Sequence, residues 1–491
     1  MKTNKNAGAE PFIRYPRPQE KEIRNMAYKK DALLHNYDVY PKVFTAGKET
    51  EIHVRPLGGR PVFEPGKTYE LVICSLDGGN PDYFPSTGDF RYQKVTADEN
   101  GCFAFFHTFD SEQEYFLRFL SDEGKRLVQF PVYCVEKDLA GRYPFMGDLH
   151  MHTNLSDGSE TPEVVAANYR KYGYDFTVIS DHNRYYPSLR AIEKYKDAPI
   201  SLNIVPGEEV HMPRVYGKKN DVHIVNFGGE FSVNALVEDI AVEEVGKDLK
   251  TRAIRENDVP DVMTMAEFEA KMQALADEID VPEGIDRVPA AVCKWVFDQI
   301  KAANGLGIFP HPNWIPNAFH VPERFTDWLM ETKPFDAFEV LGGESYYEHN
   351  GFQTARYYEE RAKGNRFPIV GSTDSHGSYP ELNPKGFICE TIVFSPENER
   401  KALISSIKDY YSVAVDTIST EFRLVGEQRF IRYGCFLLKN YFPLHDDLCY
   451  EEGRLMKQYV TGTPEEREEA LETLRAISGR TERLMKKYFA F

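Results

Sequence analysis

Histidines and carboxylates gather at the ends of apolar runs in this 491-residue chain. His150 and His152 stand two apart in GDLHMHTNLSDG, and because side chains at i and i+2 of a strand leave the same face, the pair aims two imidazoles at one point. Further donors arrive from other runs: Asp181 and His182 end FTVISDH, Glu208, Glu209 and His211 close PGEEVHM, His223 lies in VHIVNFG, His311 in GIFPHPNW, and Asp374 and His376 end IVGSTDSH. Imidazole with carboxylate, and no cysteine beside any of them, suits Zn, Mn or Fe in a catalytic rather than a structural role. Two such ions roughly 3.5 to 4 Å apart can share a hydroxide, lower its pKa toward neutrality and present it in line with a phosphorus or carbonyl centre. The chain has neither a GxSxG elbow nor a P-loop, so acyl-enzyme and nucleotide-driven mechanisms lack support.

Strand ends must carry these donors. MGDLHMH, FTVISDH, LNIVPGEEV, VHIVNFG, LGIFPHP, AFEVLGG and FPIVGSTD are short, β-rich and continuously apolar, which predicts buried parallel strands. Between them, PEVVAANYRKYG and TARYYEERAKG have helical spacing and glycine stops. Such alternation predicts an α/β barrel or wound sheet, and ligands at the C-terminal ends of several strands favour the barrel. Residues 231 to about 300 are too long for a connection. They hold a helix, TMAEFEAKMQALADE, opening on a Thr264 to Glu267 capping box, and either roof the site or fill a groove.

The flanks differ in rhythm. Residues 1–35 are polar and Pro-punctuated, an arm or linker. Residues 36–141 read as short strands of a β-sandwich of immunoglobulin-like size, with a hairpin expected at DENG, since Asn-Gly accepts positive φ. The barrel is expected over 142–415 and a helical segment over 416–491. In that last segment Thr463, Pro464 and Glu466 mark a helix start, and Leu471, Leu474, Ile477, Leu484 and Tyr488 form a stripe to be buried on the barrel or in a dimer contact.

A net charge of -18 argues against broad binding to nucleic acid or anionic membrane, so the expected partner is a small-molecule ester, with no nucleic acid and no membrane, and a homo-oligomer is left open. The first residues lack an apolar signal core and no run nears the roughly twenty apolar residues of a spanning helix, which predicts a cytoplasmic protein. Seven cysteines form no CxxC pair and read as buried free thiols.

The order of the motifs resembles the PHP family, named for polymerase and histidinol phosphatase. DLHMHT, SDG, SDHN, PGEE, HPNW and STDSH match its motifs in order, from about Gly147 to about Asp409. The GEEV form, with a sandwich-like region before it, is similar to the branch that includes the carbaryl-hydrolase-like proteins. The resemblance implies a distorted seven-stranded β/α barrel and two or three divalent transition-metal ions. One ion would be held by His150, His152, Glu209 and Asp374, a second by Glu209 as bridge with His223 and His311, and a third by Asp157, His182 and His376. The family's GxE falls on Gly207 and Glu209, which leaves Glu208 a supporting residue. It implies a metal-dependent hydrolase, above all a phosphoesterase with a metal-bridging hydroxide as nucleophile. Carboxyl or carbamate ester hydrolysis on the same site is the alternative. A non-catalytic metal-binding scaffold with a ligand-binding sandwich is the rival from another class, and the cost of keeping unpaired donors together weighs against it.

Beside the ligands, His211 shares the face of Glu209 and is placed to orient substrate or give a proton. Arg184 and Arg214, the cations nearest the motifs in sequence, are candidate phosphate clamps. Glu339 is expected to brace a ligand histidine and Asp181 to support the fold. Tyr185, Tyr186, Trp314, Tyr346 and Tyr347 are candidate pocket walls. His320, His349 and His445 match no motif, and His53 and His107 are read as surface or core residues.

Overall fold

The computed structural model describes residues 32–58, 62–83, 88, 90–219, 222–238, 261–342, 347–378, 389–417 and 423–491. Nearly all of the expected arm, residues 239–260 of the expected insertion, and Tyr346 lie outside the described residues.

Alternating burial builds the N-terminal strands: in β3, Ile52 and Val54 are buried while Glu51 and Arg55 are exposed, the period-2 signature of a sheet with one wet face. Eight strands precede the metal motifs: β1 (Tyr37–Tyr40), β2 (Val43–Thr45), β3 (Glu49–Pro56), β4 (Thr68–Ser75), β5 (Phe90–Thr96), β6 (Phe103–Thr108), β7 (Gln113–Leu120) and β8 (Arg126–Val135). They form two sheets, in orders β1-β3-β6 and β2-β8-β7-β4-β5, around one core. There Phe63, Phe103 and Phe119 lie 4.8 to 5.2 Å apart, ring centre to ring centre. DENG makes a tight turn, with Gly101 at φ 73° and Asp98 Oδ1 accepting from the amides of Asn100 and Cys102. It is not a hairpin, however, because β5 pairs with β4 and β6 with β3, so the turn carries the chain from one sheet to the other.

The second half is a mixed α/β arrangement. Its strands are β9 (Tyr143–Asp148), β10 (Phe176–Val178), β11 (Asn203–Val205), β12 (Gly207–Val210), β13 (Ile224–Phe227), β14 (Leu306–Phe309), β15 (Ala337–Leu341), β16 (Ile369–Gly371), β17 (Cys389–Ser395), β18 (Ser412–Asp416) and β19 (Arg423–Val425). All seven expected strand regions appear, but not all are parallel. β9, β10 and β11 are parallel, as are β14, β15 and β16, whereas β12, β13 and β14 run antiparallel, and β17 runs antiparallel to β9. A strand buried on both faces reads alike in either direction. Hydrogen bonding yields two sheets, β11-β10-β9-β17-β18-β19 and β12-β13-β14-β15-β16. Among the described residues they are bridged at Met151↔Ser375 and His182↔Glu209, beside the candidate ligands. Gly207 allows the close approach this needs, since a Cβ there would fall 2.4 Å from Val178 Cγ2 and 2.5 Å from the Asn226 carbonyl oxygen.

The described part of the expected insertion packs rather than projects. Its first helix, Met265–Glu278, carries the Thr264–Glu267 capping box. The next, Arg287–Ala302, buries Val288, Val292, Trp295 and Ile300 in one core with Val210, Ile224 and Phe309.

Four helices follow β19: Gln428–Asn440, Phe442–Thr461, Pro464–Ile477 and Arg480–Tyr488. The Thr463–Glu466 box forms. The single last helix suggested by the sequence is two, because Gly479 takes φ 73° between them. Leu474 and Tyr488 of the stripe are buried in one core with Val43, Tyr133, Met146 and Met151, so the stripe lies against both the N-terminal strands and the β9 sheet. The chain ends as β20 (Phe489–Ala490), parallel to β2. All seven cysteines are free, five of them buried. Among the described residues, no helix is long and apolar enough to cross a membrane.

Candidate metal centre

Two strand extensions are zipped together to make the site. Past the end of β9, the amide of His152 donates to the Ser375 carbonyl at 2.8 Å and the amide of Asp374 to the His150 carbonyl at 2.8 Å. Past β10, Glu209 donates to the Ser180 carbonyl at 3.0 Å and Asn183 donates to the Glu209 carbonyl at 3.0 Å. His150, His152, His182, Glu209, Asp374 and His376 are thereby brought to one cleft, and β13 and β14 deliver His223 and His311.

Glu209 is the hub. Its Oε2 stands 2.6 Å from His182 Nδ1 and 3.5 Å from Nε2 of both His150 and His152, and its Oε1 2.7 Å from His223 Nδ1 and 3.6 Å from His311 Nε2. Asp374 Oδ1 lies 2.9 Å from His152 Nε2 and 3.3 Å from His150 Nε2. Asp157 Oδ2 lies 3.3 Å from His376 Nε2 and 3.5 Å from His182 Nε2. All nine residues expected as ligands converge. Their donor atoms fall into groups compact enough for an ion: His152, Asp157, His182 and His376; His150, His152 and Glu209; and His150, His311 and Asp374.

The donor chemistry fits divalent cations. Among the described residues, both oxygens of buried Glu209, with His150 Nε2, His152 Nδ1, His223 Nδ1 and His311 Nδ1, have no hydrogen-bond partner. Buried polar groups are costly when unsatisfied, and cations would satisfy several of these at once. Burial opposes the charge on Glu209, yet His223, His182 and His150 hold its carboxyl well below the usual carboxylate range. Burial likewise opposes charge on His182, but Glu209 and Asp157 push it up to about 10. His311 and Asp374 also take left-handed backbone, φ 28° and 47°, an expensive conformation for residues other than glycine that concentrates at functional sites.

A supporting layer fixes these groups. Glu339 Oε2 lies 3.1 Å from His150 Nδ1, and Gln353 Nε2 donates to the Glu339 carbonyl, so Glu339 does brace a histidine of the cleft. Glu208 faces away from Glu209 and accepts from Asn226 Nδ2, Ser232 Oγ, the Val233 amide and Asn234 Nδ2 at 2.6 to 3.1 Å. Asp181 accepts from Thr153 N, Thr153 Oγ1 and Ser156 Oγ, holding the loop that presents Asp157. Arg184 ties down the same loop through Nη1 to the Leu155 carbonyl. His211 Nε2 lies 2.8 Å from His182 Nδ1.

The remaining candidates scatter. Arg214 is exposed on the turn after His211, and among the described residues nothing ties it to the cleft. Tyr185 is buried with its hydroxyl donating to the Gly229 carbonyl, a packing role and not a pocket wall. Trp314 does stand near His311, 6.2 Å between ring centres. His320, which no motif marked, reaches the cleft: one of its nitrogens lies within 4.8 Å of donor atoms on His223 and His311. It sits nine residues beyond His311 in an irregular loop, where no periodicity signals it.

No family model matches the chain. Two curated relatives are similar to it over about half its length: the 5'-3' exoribonuclease Rnm of Salmonella typhimurium, 26% identical over 240 residues, and that of Escherichia coli, 25% identical over 244, each match spanning 49% of this chain and 75% of the relative. Their name runs against the expectation that nucleic acid is not a partner. Among solved structures, a two-domain protein of Bacteroides vulgatus predicted to contain a PHP-like metal-dependent phosphoesterase is 15% identical with a TM-score of 0.35. That match covers 56% of this chain and 65% of the other, under two thirds of its length. None of these relatives singles out the carbaryl-hydrolase-like branch. The ordered motifs and their convergence on one cleft make the chain similar to PHP-type metal-dependent hydrolases.

Proposed function

We propose that this protein hydrolyses phosphate esters at a centre of two or three divalent ions. The observation that carries the reading is the convergence of nine imidazole and carboxylate side chains on one cleft, with Glu209 at its hub, whose two oxygens are buried without hydrogen-bond partners among the described residues. His150, His152, Glu209 and Asp374 would hold one ion, Glu209, His223 and His311 a second, and Asp157, His182 and His376 a third. Ions held there would supply Lewis acidity and activate water. Residues 142–415 are read as the catalytic unit, a distorted seven-stranded barrel, with 36–141 a β-sandwich and 416–491 a helical segment. The relatives' name favours a phosphodiester among the phosphate esters, including one in RNA; a carboxyl or carbamate ester is the alternative.

The chain's own groups then divide the work. Glu339 fixes the ring of His150, and Asp181 and Arg184 hold the loop of Asp157. His211, adjoining His182 and supported by the Asn234 side chain at its amide, is placed to pass a proton to a leaving group.

Metal analysis by mass spectrometry, combined with a nitrophenyl panel of phosphate mono- and diesters, acetate and carbamate, tests the proposal. Two or three ions per chain and faster turnover of the phosphate esters are expected. Fewer than one ion per chain sinks the metal centre, while a preference for neutral esters keeps the hydrolase and removes the phosphoesterase.

The arginines give a second test. If Arg184 clamps phosphate, Arg184→Ala costs about 1.5 to 3 kcal/mol of binding, the range for a hydrogen bond to a charged group, and raises KM for phosphate esters with neutral esters nearly untouched. Equal damage to both ester classes would leave Arg184 a holder of the Leu155 loop only. Arg214→Ala, at an exposed turn, should have the smaller effect.

A further inference from the structure

The position assigned to His223 and His311 is crowded by a third imidazole. The ring centre of His320 lies 4.1 Å from that of His223, at 83°, and 5.4 Å from that of His311, at 43°. The three offer one nitrogen each, all within 4.8 Å of one another, on the side of Glu209 where Oε1 meets His223 Nδ1 and His311 Nε2.

Chance does not hold His320 there. The loop HPNWIPNAFHVP leaves β14 at His311 and folds back on itself: Trp314 donates to the His311 carbonyl at 3.1 Å, His320 to the Trp314 carbonyl at 2.8 Å, and Val321 to the Pro312 carbonyl at 3.1 Å. Pro312, Pro316 and Pro322 stiffen it further by fixing φ. The indole of Trp314 stands 5.4 Å from the His320 ring. Ile315 and Phe319 remain exposed, His320 is half-buried, and Val321 beside it is anchored in the hydrophobic core.

We propose that His320 is a tenth ligand, completing a set of three imidazoles and the Glu209 carboxylate around the second ion. This rests on the metal-centre reading above and adds a donor that its motif set does not contain. Four protein donors would make this the most nitrogen-rich position of the three. Imidazole suits Zn, Cu, Fe and Ni, so this ion should be the last surrendered to a chelator.

Chelator competition on the fully loaded protein, followed by ions per chain and by the visible spectrum of the cobalt-substituted form, tests the assignment. In His320→Ala the last-released ion should leave at a chelator concentration at least ~10-fold lower, a conservative expectation because even outer partners of a metal ligand are worth 10 to 100-fold. The cobalt spectrum should change, and His320→Asp, which restores a donor, should recover most of the affinity. Should His320→Ala fail to fold by circular dichroism, histidine-labelled wild type decides the matter, since the His320 ring resonances must shift when zinc is added. Identical release and spectra in wild type and His320→Ala, or unmoved His320 resonances, overturn the tenth ligand and leave the nine-residue centre standing. A wild type that binds no ion removes both.

Discussion

Glu209→Gln is expected to lose metal and to lower kcat/KM by roughly 10³-fold, equivalent to about 4 kcal/mol of transition-state stabilisation, while Glu208→Gln keeps its ions and most of its activity. The two neighbours differ in one respect that decides the matter. Glu209 faces six histidines across 2.6 to 3.6 Å, and among the described residues both its oxygens lack hydrogen-bond partners. An amide in its place halves the acceptor capacity and removes the charge that a bridging ligand supplies. Glu208, by contrast, already accepts four hydrogen bonds. An amide there turns one acceptor toward donors, which costs about 1 to 3 kcal/mol of stability for a buried group left unsatisfied, loosens residues 232–234, and leaves the ions in place. Ions per chain and turnover of a nitrophenyl phosphate ester check the pair. Equal loss in the two variants would mean that the bridging residue has been assigned to the wrong register.

What the sequence made legible follows from what strands do locally. The i, i+2 spacing of His150 and His152 fixes their shared face wherever the strand lies, and the alternation of Glu208 and Glu209 fixes opposite faces in the same way; the cleft shows both. The capping boxes at Thr264 and Thr463 formed because both partners sit within one turn. Long-range features were not legible. The direction of β13 is not encoded in the apolar run VHIVNFG, and DENG specifies a turn with positive φ but not which strands flank it as partners. His320 depends on a loop closed by backbone hydrogen bonds, and Gly479 splits what the hydrophobic stripe presents as one helix, because the stripe continues across the break.

Arg170→Ala is expected to destabilise the folded protein by about 3 to 5 kcal/mol, the cost of stripping one partner from a buried ion pair. Arg170 is fully buried on the helix Pro162–Lys171. Its guanidinium donates to Asp175 Oδ1 at 3.0 Å, the Tyr174 carbonyl at 2.9 Å, Glu452 Oε2 at 3.0 Å and Thr481 Oγ1 at 3.3 Å, so one side chain joins the catalytic half to two C-terminal helices. Removing it leaves the Asp175 and Glu452 carboxylates buried without a guanidinium partner, with His445 and the Met146 amide still facing Asp175 and the Ser201 amide still facing Glu452. Denaturant unfolding followed by circular dichroism measures the loss, and a cost below ~1 kcal/mol, the level of an exposed ion pair, would show that water reaches this cluster. Arg170→Met combined with Glu452→Met should recover part of the loss, because it removes both members of one pair and not one of them. The effect should also reach the cleft. On the same helix, Asn168 Nδ2 donates to Ser378 Oγ at 2.7 Å and the Tyr169 hydroxyl meets Thr373 Oγ1 at 2.8 Å, gripping from both sides the strand end that presents Asp374 and His376. A helix freed from its C-terminal partners should hold that strand end less firmly, so in Arg170→Ala the ions bound through Asp374 and His376 should leave at lower chelator concentration than in the wild type, while the ion bound through His223 and His311 is little affected.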